Sequence, residues 1–289
     1  MRQKKVSLMR LINGFLLICL AFVTLYPFWY VICYALSTYE DVIKVDLLFW
    51  PQNFTMDNIN YILSTSDFLH IYGNTIFVVV AGTILSMVTT VMYSYGLARK
   101  VPGHRVISAL TFFTLIFSGG MIPTFMVVRA TGLLNNIWAL IIPRLVDPFN
   151  IFLMRNFFQA IPKDLDESAS IDGASTLRIL VSIIIPLALP GIATLCLFYA
   201  VGYWNQFFEA VLYTSNRPQW TLQIMLHELL LSSSTDAVGS SASSDNFGAA
   251  LSTSVKMASV VVTVVPVMCI YPFLQKYFVK GVIVGAVKG

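Results

Sequence analysis

Few residues in this 289-residue chain have the type and spacing to do chemistry. His227 and Glu228 stand side by side in 'HELLL', the start of a helix that becomes a zinc site when a second His follows four positions after the first. Leu231 stands there instead. No metal site follows, and no other catalytic set appears. The four cysteines, Cys19, Cys33, Cys196 and Cys269, all fall in apolar runs without metal or redox spacing and read as small buried hydrophobes. No 'GxxxxGK[ST]' loop is present, so the chain has no ATP site of its own. Arg129, Arg144 and Asp147 are charges in apolar surroundings, which at membrane depth face protein or water. Arg144 and Asp147 are three apart and either pair along one helical turn or leave Arg144 to meet an acidic solute. The densest feature is 'DLDESASIDGAS', residues 164–175, with Asp164, Asp166, Glu167 and Asp172 drawn from only fourteen carboxylates in the chain.

The elements that must position these groups are membrane helices. The chain is 57% hydrophobic and 11% charged, whereas a soluble domain carries about a quarter charged residues. Its mean hydropathy is +0.77. Six apolar runs reach spanning length, at about 11–37, 75–97, 107–128, 136–154, 179–203 and 255–274. Each must be helical, because lipid offers no partner to an open backbone. The fold class is therefore all-α and polytopic. The first run is too long for a signal peptide and reads as a retained anchor. Pro27, Pro123, Pro143, Pro186, Pro190, Pro266 and Pro272 interrupt the runs where bends beside a cavity are tolerated.

With six spans both termini share one side. That side holds thirteen of the eighteen Lys and Arg residues, which places both termini and the acidic segment in the cytoplasm. The net charge of +4 serves orientation and implies membrane lipid rather than nucleic acid as partner. Residues 1–10 are then a cytoplasmic N-terminus, 11–37 the first transmembrane helix, 38–74 an external loop and 279–289 a cytoplasmic tail. In 38–74, 'WPQNFTMDNINYIL' has the mixed character of a short interfacial helix. A second external loop, 209–254, contains a Ser/Gly-rich stretch at 231–250 that reads as flexible, either a partner surface or an uninvolved connector.

Read locally, 'IPKDLDESASIDGAS' is a helix with punctuation. Pro162 suits the first turn, Asp164, Asp166 and Glu167 suit the positive end of the dipole, and Gly173 supplies the left-handed residue that ends it. Ala174 to Leu180 forms a second short helix leading into the fifth span.

At this point the sequence resembles a family. 'ESASIDGASTLRILVSIIIPLALP' (167–190) looks like the EAA loop of binding-protein-dependent ABC importer permeases, E-A-A-x-x-D-G-A followed by I-x-L-P. Ser168 replaces the first Ala, and Ile185-Pro186 replaces Leu-Pro. 'NFFQAIPKDLDESA', 'YWNQFFEAVLY' and the terminal 'LQKYFVKGVIVGAVKG' are similar to the carbohydrate branch, the smaller permease subunit of the maltose type. Within that branch it looks closest to permeases for polysaccharide or oligosaccharide uptake in Gram-positive bacteria.

The resemblance implies a type I ABC importer transmembrane fold, with the core at 75–278 and a cytoplasmic coupling loop at 156–180. It implies a bacterial plasma-membrane location, a second homologous permease, two ATP-binding subunits that hold ATP and Mg, and an external solute-binding lipoprotein. By position, Glu167, Ser168, Ala169, Asp172, Gly173 and Ala174 would seat in an ATPase cleft. Gly285, Ala286, Val287, Lys288 and Gly289 would reach between the ATPases, unless the tail is simply a solvated terminus. Trp204, Asn205, Phe208 and Glu209 stand where they either anchor the helix at the interface or, with Arg144, line the pathway or its external mouth. The rival readings are an importer of a non-sugar solute and an ion-coupled transporter. The second would carry mid-membrane carboxylates and often a repeat, and neither is evident.

Overall fold

The computed structural model describes residues 8–44, 49–51, 53–64, 66–239 and 253–269. Within them every regular element is helical, apart from one antiparallel bridge between Ser37 and Phe54. The helices are α1 (Leu8–Ala35), α2 (Tyr39–Lys44), α3 (Asp57–Ser64), α4 (Ser66–Ala98), α5 (His104–Ile116), α6 (Met121–Ala130), α7 (Pro148–Gln159), α8 (Asp164–Ile171), α9 (Thr176–Ile179), α10 (Ile185–Leu187), α11 (Leu189–Trp204), α12 (Phe208–Tyr213) and α13 (Leu222–Gly239). A further apolar helix, α14, spans Thr253–Cys269. Among the described residues, two segments are long and apolar enough to cross a membrane in one piece, Ile12–Ala35 and Asp67–Ala98. Three bent pairs each qualify together: α5 with α6 at 117°, the tight turns at Ile137–Arg144 with α7 at 51°, and Thr176–Leu187 with α11 at 85°. The sixth expected run, 255–274, extends beyond the described residues.

The chain divides into two compact units. In the first, α1 exposes Phe15, Leu16, Ile18, Phe22 and Val23 along its length, the surface of a helix whose solvent is lipid. The segment after α1 is tied down rather than loose. Asp41, itself buried, accepts from the Asn53 backbone N–H at 2.8 Å and from its side-chain amide at 3.1 Å. Buried Asn58 donates to the Ala35 and Ser37 carbonyls. Trp29 Nε1 donates to the Phe49 carbonyl at 2.8 Å. Asp41, Asn53 and Asn58, with Trp29 of α1, thus supply the hydrogen bonds that hold α2, α3 and the residues beside them.

The second unit is built on α4. This helix starts nine residues before the apolar run at 75–97, because Asp67 favours its first turn and no proline follows until Pro102. Hydropathy locates the part at membrane depth, not the whole helix. On one face of α4, Ser86, Thr90 and Ser94 recur every four residues and are buried. Ser86 meets Tyr203 Oη at 2.9 Å, Thr90 meets Tyr199 Oη at 2.7 Å, and Ser94 donates to the Ile151 carbonyl at 2.9 Å. Two helices zip antiparallel through small hydroxyls and tyrosines, the polar glue expected where lipid removes any hydrophobic drive between helices. Leu140, Ile141, Met154, Phe158, Ile184 and Leu195 fill the core around this seam.

The bends have local causes. Gly120, at φ +90°, lies in the turn between α5 and α6. Before α11, the backbone widens into a π-turn at Leu180–Ile184. It then breaks at Ala188 between Pro186 and Pro190, each lacking an N–H. Gly191 follows because α7 lies close: a Cβ there would meet the Phe157 ring at 2.6 Å.

Candidate functional site

Two places gather the candidate residues. The first is the acidic segment. α8 runs from Asp164 to Ile171 with Asp164, Asp166 and Glu167 in its first turn and Lys163 at the N-cap. Pro162 lies outside the first turn where the sequence pattern puts it, two positions before the first helical residue. The C-terminus is a complete Schellman motif: Gly173 is left-handed at φ +82°, its N–H bonds the Ser170 carbonyl at 3.1 Å, and Ala174 N–H bonds the Ala169 carbonyl at 3.0 Å. Ser175 then caps α9, its hydroxyl accepting from the Arg178 N–H. The chain turns sharply, with the end of α8 and the start of α9 both capped.

This helix–turn–helix has an inner and an outer face. Ala169 and Ala174 pack on the core. Asp166 forms an ion pair with Arg99, just past the end of α4, and both side chains are mostly buried. The Arg99 guanidinium also lies over the Tyr95 ring, 5.6 Å from its centroid. On the outer face Glu167, Ser168, Asp172 and Gly173 are exposed. So are Leu165, Leu177 and above all Ile171, which is 87% exposed. Carboxylates beside uncovered aliphatic side chains, on a rigidly tied hairpin of helices, are suited to seat in a basic-rimmed cleft of another protein.

The second place is a pair of adjoining cavities of 360 and 740 Å³. Arg144, Gln206, Phe208 and Glu209 line both, and Asn205 lines the larger. Four of the five expected pathway residues are therefore brought together. Trp204 is not among them: it is 7% exposed, packed inside, and lines neither cavity. The pairing of Arg144 with Asp147 does not form. Asp147 instead caps α7 by accepting from the Asn150 N–H at 2.8 Å, which a Pro148 start to that helix calls for. Arg144 swings over the Tyr203 ring, 5.8 Å from its centroid. Glycines make this possible. A Cβ on Gly82 would strike the Tyr203 ring at 2.7 Å, and one on Gly202 would meet Arg144 Nη2 at 3.0 Å.

A family match joins these two places to a known kind of machine. Residues 97–284, which contain the acidic segment and both cavities, match the family described as binding-protein-dependent transport system inner membrane component. The chain belongs to that family. The permease is 41% identical to the polygalacturonan/rhamnogalacturonan transport system permease protein YtcP of Bacillus subtilis, over 96% of this chain and 97% of that one. It is 40% identical to protein LplC of the same organism, covering 92% and 90% of the two chains. It also resembles, at 31% identity and a TM-score of 0.86, a chain from the crystal structure of a bacterial ABC transporter involved in import of the acidic polysaccharide alginate, covering 96% of this chain and all of that one. Membership in the carbohydrate ABC importer permeases, read from the motifs at 167–190 and 203–213, is borne out.

The permease tail, Gly285 to Gly289, lies outside the described residues. So do 240–252 of the expected flexible loop; its earlier part, 232–239, instead continues α13. Sequence reasoning missed Gln206 and Gly202 at the cavities, Tyr203 and Gly82 behind Arg144, and Arg99 at the acidic segment. The four-residue spacing of Ser86, Thr90 and Ser94, matched by Tyr199 and Tyr203, was the signal available for one of them.

Proposed function

We propose that this permease is one of two membrane subunits of an ATP-driven importer that carries an oligosaccharide into the bacterial cytoplasm. In this reading six spans cross the plasma membrane with both termini inside. The 156–180 segment faces the cytoplasm and docks an ATPase, with Glu167 toward a basic residue, Asp172 and Ala174 completing the seat, and Gly173 setting the turn. ATP and Mg sit on the partner ATPases, and an external binding protein delivers the sugar. Arg144, Asn205, Phe208 and Glu209 line the route the sugar takes.

One observation carries the reading: α8 and α9 are locked to the core through Asp166, Ala169 and Ala174 while Glu167, Ile171 and Asp172 face outward. A segment so tied passes rigid-body movement into the spans, which a loose loop would absorb. The carbohydrate part draws on the relative YtcP, whose name cites polygalacturonan and rhamnogalacturonan transport. Gentle solubilisation and affinity purification of the full chain test the proposal: an ATPase and a second homologous permease co-purify in defined stoichiometry. A stable lone subunit that transports solute without ATP would contradict it.

A further inference from the structure

The two cavities contain polar groups that the protein itself leaves unanswered. Arg144 is half-buried, and among the described residues its guanidinium has no hydrogen bond or ion pair; it lies over the Tyr203 ring. That ring is fixed from below by Ser86, so the guanidinium rests on a rigid support. Gln206 is only 5% exposed, and its side-chain oxygen has no partner. Both side chains line both cavities. A buried amide oxygen without a partner is costly, a cost that persists where a ligand supplies the missing group. A guanidinium that opens into the same cavities without an ion-pair partner is free to take one from a ligand.

We propose that the Arg144 cavity is a binding site for a carboxylate-bearing sugar, the guanidinium taking the carboxylate and Gln206 and Glu209 taking hydroxyls. The guanidinium fork presents parallel N–H donors that match a carboxylate in two-point contact. Glu209 lines the same cavities yet forms no ion pair with Arg144, so the site has a positive and a negative pole. A uronate offers both complements, a carboxylate for the first and hydroxyl donors for the second. Phe198, Phe207 and Phe208 line the larger cavity and offer apolar faces to the C–H side of a pyranose. Its 740 Å³ lies within the roughly 300–1,000 Å³ typical of small-ligand sites. A neutral sugar would leave Arg144 as unanswered as it is now.

The proposal rests on the import reading above, and its test separates the two. The assembled transporter is reconstituted in vesicles with ATP inside. It is offered a mixture of galacturonate, mannuronate and guluronate trisaccharides together with their carboxyl-reduced counterparts, and luminal sugar is counted by mass spectrometry. The ratio of acidic to neutral uptake is the readout, because it is independent of how much protein folds. Arg144→Gln lowers that ratio roughly tenfold or more, the size of one charge-assisted hydrogen bond, and Arg144→Lys falls between it and the parent. If Arg144→Gln lowers both sugars equally, or changes neither, Arg144 only packs on Tyr203; this site is then overturned and the import reading stands. If the parent accumulates no saccharide at all, the import reading fails and this proposal fails with it.

Discussion

Gly173 shows how much a single residue can state in advance. Its φ of +82° is the conformation that lets Ala174 N–H reach back to the Ala169 carbonyl, and L-residues with a Cβ pay about 1–2 kcal/mol to adopt it. No neighbouring atom lies within 4 Å of a Cβ there, so the penalty is one of backbone conformation alone. Gly173→Ala should therefore lower the stability of the α8–α9 turn by about 1 kcal/mol, and Gly173→Asn by less, since Asn tolerates the left-handed region better. Amide hydrogen exchange across 164–180 measures this directly: faster exchange in the Ala variant than in the Asn variant is expected, and equal rates would refute it. The glycine was readable because its signal is local. Gly202 and Gly82 were not, because what requires them is a ring and a guanidinium arriving from far along the chain.

At the scale of elements, the contrast is between local punctuation and distant partners. The acidic first turn of α8, its Schellman end and the proline-bounded break before α11 all follow from residues within a few positions of one another. The Asp166–Arg99 pair joins elements with α5, α6 and α7 between them in the chain, and no periodicity announces it. Removing Asp166 leaves Arg99 mostly buried beside Tyr95 without its counter-charge. Asp166→Ala should lower stability by roughly 1–3 kcal/mol, read as a lower melting temperature in detergent. The double variant Arg99→Met with Asp166→Leu, which removes both charges, should recover much of that loss. Equal melting of Asp166→Ala and the parent would show that the pair does not hold α8. The bends tell a similar story. Hydropathy found apolar runs at 107–128, 136–154 and 179–203, but the 117°, 51° and 85° breaks inside them come from Gly120, the tight turns ahead of Pro148, and Ala188 between its prolines.

For the molecule as a whole, the cavity and the acidic segment are two ends of one proposed transmission. Arg144, Asn205, Phe208 and Glu209 converge on the cavities, while Glu167 and Asp172 stand exposed on a segment anchored to the same packed unit. The central claim is that ATPase movement enters the permease through the outer face of α8. The most direct measurement is solute-stimulated ATP hydrolysis by the assembled complex carrying Glu167→Ala, with subunit composition checked on the same sample. Because Glu167 is exposed and bears no weight in the core, the account predicts an intact fold and insertion with stimulation lost or reduced at least about tenfold, as expected for removing a charge-assisted contact. Full stimulation by an intact Glu167→Ala complex would contradict it.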